Sequence, residues 1–137
     1  MDFNNVFRGL SISASGLMAE RVRMGLIAQN LAHAHDTNRG DGTPYRRQMA
    51  AFETILEGEI HGGVRISEVV DDEDTPFIQR HMPGHPDANE DGIVTLPNGN
   101  PTFEMIDLMT AARAYEANLQ AVQMSVKMAE QAFELGR

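Results

Sequence analysis

A regular series of apolar residues near the C-terminal end of this 137-residue chain constrains its fold most. Spacings of three and four residues alternate along the series, and none of its members is charged. They are Met105, Leu108, Ala112, Tyr115, Leu119, Val122, Val126, Ala129 and Phe133. Apolar residues that recur every 3.5 positions line the side of a helix that packs on another helix. We call this series the helix seam, and it predicts a long helix over residues 102–135.

A second stripe of mostly small residues lies about 100° around the same predicted helix. Its members are Ala111, Ala114, Asn118, Ala121, Ser125, Met128 and Ala132. Small side chains allow another helix to approach closely, so this small-residue stripe is predicted to be an intersubunit face. Leu119→Asp is then expected to disrupt helix pairing within the subunit, and Ala121→Leu to block contact with its neighbours. A helix within a single globular bundle remains the alternative.

The N-terminal segment predicts a second long helix, over residues 3–33. Its expected packing residues are Phe7, Leu10, Leu17, Met24, Ile27, Asn30 and Leu31. Gly9, Gly16 and Gly25 lie inside it, and each interior glycine costs roughly 1 kcal/mol relative to alanine. This helix is therefore expected to form only when it packs on a partner, so that folding of the ends is coupled to assembly.

The middle of the chain has the character of short strands separated by turns. Strands are predicted at residues 45–52, 63–70, 77–82 and 93–96, with core positions at Val64, Ile66 and Val69. The predicted fold is therefore mainly α. Two long N- and C-terminal helices, in residues 1–33 and 102–137, form a coiled-coil-like pair and one assembly domain. A small acidic β lobe, residues 34–101, is inserted between them.

The charge of the chain excludes several classes of partner. The net charge is -9, and residues 34–101 hold 13 acidic residues against five arginines. Such a chain does not suit a nucleic-acid groove or an anionic membrane surface. The densest acidic run is Asp71, Asp72, Glu73 and Asp74. We interpret it as a solvated turn whose neutralisation changes stability little.

No group of residues points to catalysis or to a bound cofactor. The chain has no cysteine, and the histidine pairs His33/His35 and His81/His85 lack an evident third ligand for zinc. Asp87, Asn89 and Asp91 match the opening of a calcium loop, but Asn98 occupies the position of its final glutamate. We therefore predict a structural turn here, with Gly92 in the left-handed region. Its residues are His85, Pro86, Asp87, Asp91 and Gly92. For the chain as a whole we predict no catalytic, metal-binding or cofactor-binding residues and no small-molecule substrate. A calcium-modulated binding module remains a hypothesis.

Three stretches of the chain are similar to one known family. They are residues 15–32, residues 44–47 together with the His-Pro-Asp-Ala turn in residues 83–94, and residues 104–118 with the core Arg-Ala-Tyr-Glu-Ala-Asn. In these stretches the chain resembles the flagellar axial family of rod and hook proteins, most closely its proximal rod members. The resemblance covers nearly the whole chain.

This resemblance implies a structural role in the bacterial flagellum. The expected function is a basal-body rod subunit that self-assembles into a helical tube, spans the periplasm and transmits torque. Expected partners are copies of itself, proximal and distal rod proteins, and the basal adaptor at the export gate. The N-terminus lacks the pattern of a cleaved secretory signal, and the resemblance implies flagellar type III export. From the residues alone, a soluble coiled-coil adaptor without a flagellar role remains the alternative.

Overall fold

The computed structural model describes residues 3–56 and 62–135. The predicted helix and domain ends at residues 1, 2, 136 and 137 lie outside this part of the chain. Two helices hold about half of the residues, and two small antiparallel sheets lie between them in sequence. The elements are α1 (Phe3–Ala32), β1 (Gln48–Thr54), β2 (Val64–Asp71), β3 (Ile78–His81), β4 (Ile93–Leu96) and α2 (Pro101–Leu135). The two long helices and the four predicted strands are confirmed.

The two helices pack side by side and antiparallel. Asn30, near the end of α1, is hydrogen-bonded to Glu104 at the start of α2. Gly16, half-way along α1, lies beside Asn118. A Cβ atom at Gly16 would be 3.0 Å from Asn118 Nδ2, so the glycine permits the helices to approach closely here.

Helix α2 begins at Pro101, one residue before the predicted start at residue 102. Asn100 caps this helix, because its Oδ1 accepts a hydrogen bond of 2.9 Å from the Thr102 N–H. Pro101 follows as the first helical residue, where its fixed φ and missing N–H suit a helix. Thr102 therefore lies inside the first turn.

The inserted region contains two antiparallel hairpins, each forming its own sheet. Strands β1 and β2 pair from Gln48↔Asp71 to Thr54↔Val64, with a bulge after Ala51, and this hairpin packs on α1. Within residues 3–56 and 62–135, strands β3 and β4 pair only with each other.

One predicted core position of β2 is wrong. Val64 and Ile66 are half-buried, as residues two apart on one face of a strand should be. Val69 lies beyond the bulge, where it pairs with Ala50, and it is 43% exposed.

The interior is small and its centre is polar. The buried hydrophobic residues are Ala19, Ile27, Ala34, Tyr45, Val94 and Ala111. Glu104 is 1% exposed and is among the largest fully buried side chains. A buried carboxylate is costly unless it is paired and hydrogen-bonded, so its partners decide how the helices are held.

Candidate functional site

Asn30 connects three parts of the fold through one buried side chain. Its Nδ2 donates to the carbonyl oxygen of Gln48 at 2.8 Å and to Glu104 Oε2 at 3.2 Å. Its Oδ1 accepts hydrogen bonds from the Tyr45 hydroxyl at 3.0 Å and from the Gln48 N–H at 2.9 Å. These bonds tie the end of α1 to the start of β1 and the first turn of α2.

Arg47 lies among three carboxylates at the same place. Its Nε donates to Glu104 Oε1, and its Nη2 donates to Asp107 Oδ2 at 3.3 Å. Its Nη1 is 3.7 Å from Asp72 Oδ2. The guanidinium thereby offsets the charge of the buried Glu104, because a buried ion pair is stable only when its polar atoms are satisfied.

Asn98 fastens the segment that follows β2 to the start of β1. Its Oδ1 accepts a hydrogen bond of 2.8 Å from the Arg47 N–H. Its Nδ2 donates to the carbonyl oxygens of Asp72 and Thr75, at 2.9 and 3.2 Å. Asn30, Arg47, Asp72, Asn98 and Glu104 form one connected group, which we call the polar clamp.

Asp72 corrects the interpretation of the acidic run as a solvated turn. It is only 5% exposed, whereas Asp71, Glu73 and Asp74 are exposed. Its carboxylate accepts hydrogen bonds from the Thr75 N–H at 3.0 Å and from the Thr75 hydroxyl at 2.8 Å. The chain turns back after β2 at this residue, which places the side chain inside and next to Arg47. Neutralising all four residues is therefore expected to cost stability.

The electrostatics of the polar clamp favour the charged forms of Asp72 and Arg47. Burial opposes ionisation of Asp72, but the two hydrogen bonds from Thr75 and the charge of Arg47 lower its pKa below the ordinary aspartate value. Burial alone would lower the pKa of Arg47, but the hydrogen bond and charge of Glu104, with Asp107 and Asp72, raise it. Burial raises the pKa of Tyr45, so its hydroxyl keeps the proton that it donates to Asn30.

The side of α2 that faces α1 lies between the helix seam and the small-residue stripe. Ala111, a member of the stripe, is fully buried, and Asn118 of the stripe lies beside Gly16. Half-buried positions come from both sets: Leu108, Ala112, Tyr115, Val122 and Ala129 of the seam, and Ala114, Asn118, Ala121, Ser125 and Ala132 of the stripe. Exposed positions are Met105, Leu119, Val126 and Phe133 of the seam, and Met128 of the stripe.

This arrangement differs from the expected division of roles between the two stripes. Much of the small-residue stripe is directed towards α1 of the same subunit, because small side chains and Gly16 permit close packing there. Part of the seam faces outward. The intersubunit role of either face stays a prediction.

The predicted packing residues of α1 differ in burial. Ile27 and Asn30 are buried, whereas Leu10, Leu17, Met24 and Leu31 are half-buried. Phe7 is 57% exposed.

The predicted turn residues lie in the loop between β3 and β4. Gly92 is buried and has a φ of +71°. A Cβ atom there would be 2.9 Å from Pro83 Cβ, so a side chain would be strained. Asp87 accepts a hydrogen bond of 2.6 Å from the Thr37 hydroxyl, which joins this loop to the segment after α1. His85 is half-buried, whereas Pro86 and Asp91 are exposed.

Asn89 orders the same loop with its side-chain oxygen. Asn89 Oδ1 accepts hydrogen bonds from the Asp91 and Ile93 N–H groups. Within residues 3–56 and 62–135, no group of three or more histidine, aspartate or glutamate side chains has the arrangement of a metal site. No helix in this part of the chain is long and apolar enough to cross a membrane.

Large apolar side chains are exposed on both helices. On α1 they are Phe7, Ile12, Met18 and Val22; on α2 they include Phe103, Met105, Ile106, Met109, Leu119, Met124, Val126 and Met128. Extended exposed apolar surfaces mark sites of protein association. The surface of this molecule therefore suits binding to other proteins, with the polar clamp setting the relative position of the helices that carry it.

Sequence reasoning missed most of the polar clamp. Asn30 was expected to pack, but Arg47, Asp72, Asn98 and Glu104 were not expected to meet it. One signal was present, because Glu104 lies seven residues before Ala111 and fourteen before Asn118. Residues seven apart lie on nearly the same side of a helix, so Glu104 shares the face that packs on α1.

Comparison with known proteins gives the family. A family model described as the flagellar basal body rod FlgEFG protein C-terminal region matches residues 90–135. Proteins named flagellar basal-body rod protein FlgC are similar over almost the whole chain. The one from Bacillus subtilis is 38% identical, over 96% of this chain and 98% of its own length. The one from Aquifex aeolicus is 40% identical, over 95% of this chain and 96% of its own length.

A more distant relative has the same name and nearly the same extent. The flagellar basal-body rod protein FlgC of Salmonella typhimurium is 32% identical, over 97% of both chains. Identity at this level over nearly complete lengths, on a chain with two antiparallel helices and exposed apolar surfaces, establishes the relationship. The chain therefore belongs to the FlgC family of flagellar basal-body rod proteins.

Proposed function

We propose that this protein is a structural subunit of the flagellar basal-body rod, which assembles with other rod proteins and with copies of itself into a helical tube. The observation that carries this proposal is the exposed apolar surface on both helices of a chain whose relatives are rod proteins. In water such a surface favours association. The tube would span the periplasm and transmit torque.

The polar clamp would serve this role by holding α1 and α2 in a fixed relative position. Helices that are held in position before contact bind their neighbours more tightly, because ordering on binding costs free energy. Arg47 and Asn30 join both helices to β1, so the helices and the first hairpin would enter the tube as one unit. The two helices would form the assembly domain, with a coiled-coil-like pairing, and residues 34–101 would lie outside it.

The expected partners are proximal and distal rod proteins and the basal adaptor at the export gate. The location would be the basal body, reached by flagellar export without removal of a signal peptide. A soluble adaptor without a flagellar role is not favoured, since the three relatives described above are named as rod proteins. A structural role rather than catalysis is proposed for the same reason.

Deletion of the coding sequence in the native bacterium tests the proposal. Loss of motility and of complete basal bodies is expected, and a plasmid copy with an affinity tag in the β3–β4 loop should restore both. Immunoblotting of isolated basal bodies should then detect the tagged chain. A deletion strain that swims normally, or basal bodies that lack the tagged chain, would contradict a rod role.

Mass spectrometry of the chain recovered from basal bodies tests the export route. We expect an N-terminal peptide that begins at or next to Met1. An N-terminus shortened by some 15–30 residues, the length of a cleaved secretory signal, would show a different route.

A further inference from the structure

An open apolar groove of about 520 Å³ runs between α1 and the start of β2. Its walls include Leu10, Ala14, Met18 and Val22 of α1 and Val64 and Ile66 of β2. Met18 is 68% exposed and Val22 is 47% exposed. The α1 residues recur at spacings of four, so they form a row inclined by about 26° to the helix axis, and a second helix can pack along such a row.

Two arginines flank this groove. Arg8 and Arg21 lie about 65–75° to either side of the middle of the groove face, at 100° per residue. Both are exposed, and neither is in an ion pair among the described residues. The groove is therefore mainly apolar, with one exposed arginine on each side.

The complementary feature lies on α2 of the same chain. Met105, Ala112, Leu119 and Val126 are spaced by seven residues, so they form a straight line along the helix. Leu119 and Val126 are exposed. Glu116 and Glu130 lie beside them, exposed and outside any ion pair among the described residues. We call these four apolar residues with the two glutamates the α2 edge.

We propose that the groove of one subunit receives the α2 edge of a second copy of this chain. The inference rests on the proposed rod function and specifies the surfaces through which copies meet. Charge complementarity supports it, because the exposed Arg8 and Arg21 flank the groove and the exposed Glu116 and Glu130 flank the α2 edge. Opposite potentials on two surfaces favour their association and suppress contact between identical surfaces.

The geometry of this contact also determines the kind of assembly. The groove and the α2 edge are different surfaces of one molecule, so the contact is heterologous. Heterologous contacts that do not close into a ring generate helical filaments. If this contact does not close into a ring, it places successive copies on a helix.

Disulfide cross-linking tests the contact directly, because the chain contains no cysteine and every disulfide must come from an introduced pair. One tagged copy carries Met18→Cys or Val22→Cys, and a second copy with a different tag carries Leu119→Cys or Val126→Cys. Both are produced in the deletion strain, and isolated basal bodies are oxidised. At least one combination should yield dimers that contain both tags, since a disulfide needs Cα atoms about 4.4–6.8 Å apart.

The control replaces the groove cysteine with Gln79→Cys, an exposed position on β3, and should yield no dimer of mixed tags. The inference is overturned if both copies are present in basal bodies but form no mixed dimer. It is also overturned if the groove cysteine cross-links only to another protein. Absence of both tagged copies from basal bodies would instead overturn the rod function itself.

Charge reversal provides an independent test of the same contact. Arg21→Glu should lower incorporation into basal bodies several-fold, and Glu130→Arg in the same chain should restore part of it. Arg80→Glu, at an exposed position on β3, is the matched control and should leave incorporation unchanged. Equal losses for Arg21→Glu and Arg80→Glu, or no rescue by the second change, would contradict the proposed pairing.

Discussion

The two ends of the helix pair differ in the side chains that hold the helices together. At the end where α1 meets the start of α2, the polar clamp buries Asn30 and Glu104 and satisfies both through hydrogen bonds. Towards the other end, small side chains such as Gly16 and Ala121 lie between the helices, and Phe7 and Leu135 are exposed. At one end the polar groups find all their partners within the subunit, whereas the other end exposes apolar surface that neighbouring molecules can cover.

This difference indicates where single changes should affect the subunit and where they should affect its assembly. Buried polar groups have directional partners, so removing one leaves the others unsatisfied. Exposed apolar groups on a helix contribute little to the stability of the isolated chain. Changes at the clamp should therefore appear in unfolding measurements, and changes on the exposed faces in assembly measurements.

The largest effect is expected for Glu104→Ala. The change removes the main partner of Arg47, deprives Asn30 Nδ2 of an acceptor and leaves a cavity, which together should lower the free energy of unfolding by about 2–4 kcal/mol. Urea unfolding followed by circular dichroism measures it. Glu130→Ala, on the exposed side of the same helix, is the matched control and should change stability by less than about 0.5 kcal/mol. Equal losses would show that the clamp does not distinguish the two ends.

A smaller effect is expected for Asp72→Asn. The amide keeps one acceptor for Thr75 but loses the attraction to Arg47, so we expect a loss of about 1–2 kcal/mol at neutral pH. Asp74→Asn, an exposed change in the same acidic run, should have almost no effect. If both changes had the same small effect, the run would behave as a solvated turn after all.

The pH dependence of stability separates the contribution of the Asp72 charge from that of the packing of its side chain. Because the pKa of Asp72 is lowered in the folded protein, its ionisation contributes stability above the pKa of unfolded aspartate, about 3.9. That contribution is lost as the pH falls through the lower folded pKa. The difference between wild type and Asp72→Asn should therefore be full at pH 6–7 and shrink below about pH 4. A difference that stays constant down to pH 3 would exclude a role for the charge.

Periodicity predicted the elements of the fold well but said little about how they are joined. The spacing of apolar residues indicates α1 and α2 to within about one residue, because helix formation follows local pattern. The clamp brings together residues as far apart in sequence as Asn30 and Glu104. No local sequence pattern predicts such a contact. The burial of Asp72 could not be predicted either, because an acidic run is normally expected to be exposed to solvent.

The assignment of helix faces shows a second limit of sequence reasoning. The helix seam and the small-residue stripe are only about 100° apart, and both contain side chains that can pack on a helix. Gly16 permits close approach next to Asn118, which directs α1 to the region between the two. Only the position of α1 shows which side of α2 packs within the subunit and which side faces outward.

From the structure we expect the reverse of the sequence-based outcomes for two substitutions in α2. Leu119→Asp should now affect mainly assembly, and Ala121→Leu mainly the pairing of the helices. Ala121 is half-buried on the side towards α1, so Ala121→Leu should force the helices apart and cost about 1 kcal/mol in unfolding. Leu119 is 38% exposed, so Leu119→Asp should change unfolding less and reduce incorporation into basal bodies more. Secretion of both variants into the medium of a rodless strain controls for export. If Leu119→Asp destabilises the chain more than Ala121→Leu, the outer face has been misidentified.

The smallest effects are expected at two glycines of α1 that differ only in their surroundings. A Cβ atom at Gly25 would meet nothing within 4 Å, whereas at Gly16 it would lie 3.0–3.2 Å from the side chain of Asn118. Gly25→Ala should therefore stabilise the chain by about 0.5–1 kcal/mol through helix propensity alone. Gly16→Ala gains the same propensity, but Asn118 must move, so its net effect should be close to zero or negative.

Paired urea titrations measure both variants. Because the helix gain is common to the two sites, the difference between them isolates the cost of separating α1 from α2. A Gly16→Ala chain as stable as Gly25→Ala would mean that the helices do not depend on close contact at this point.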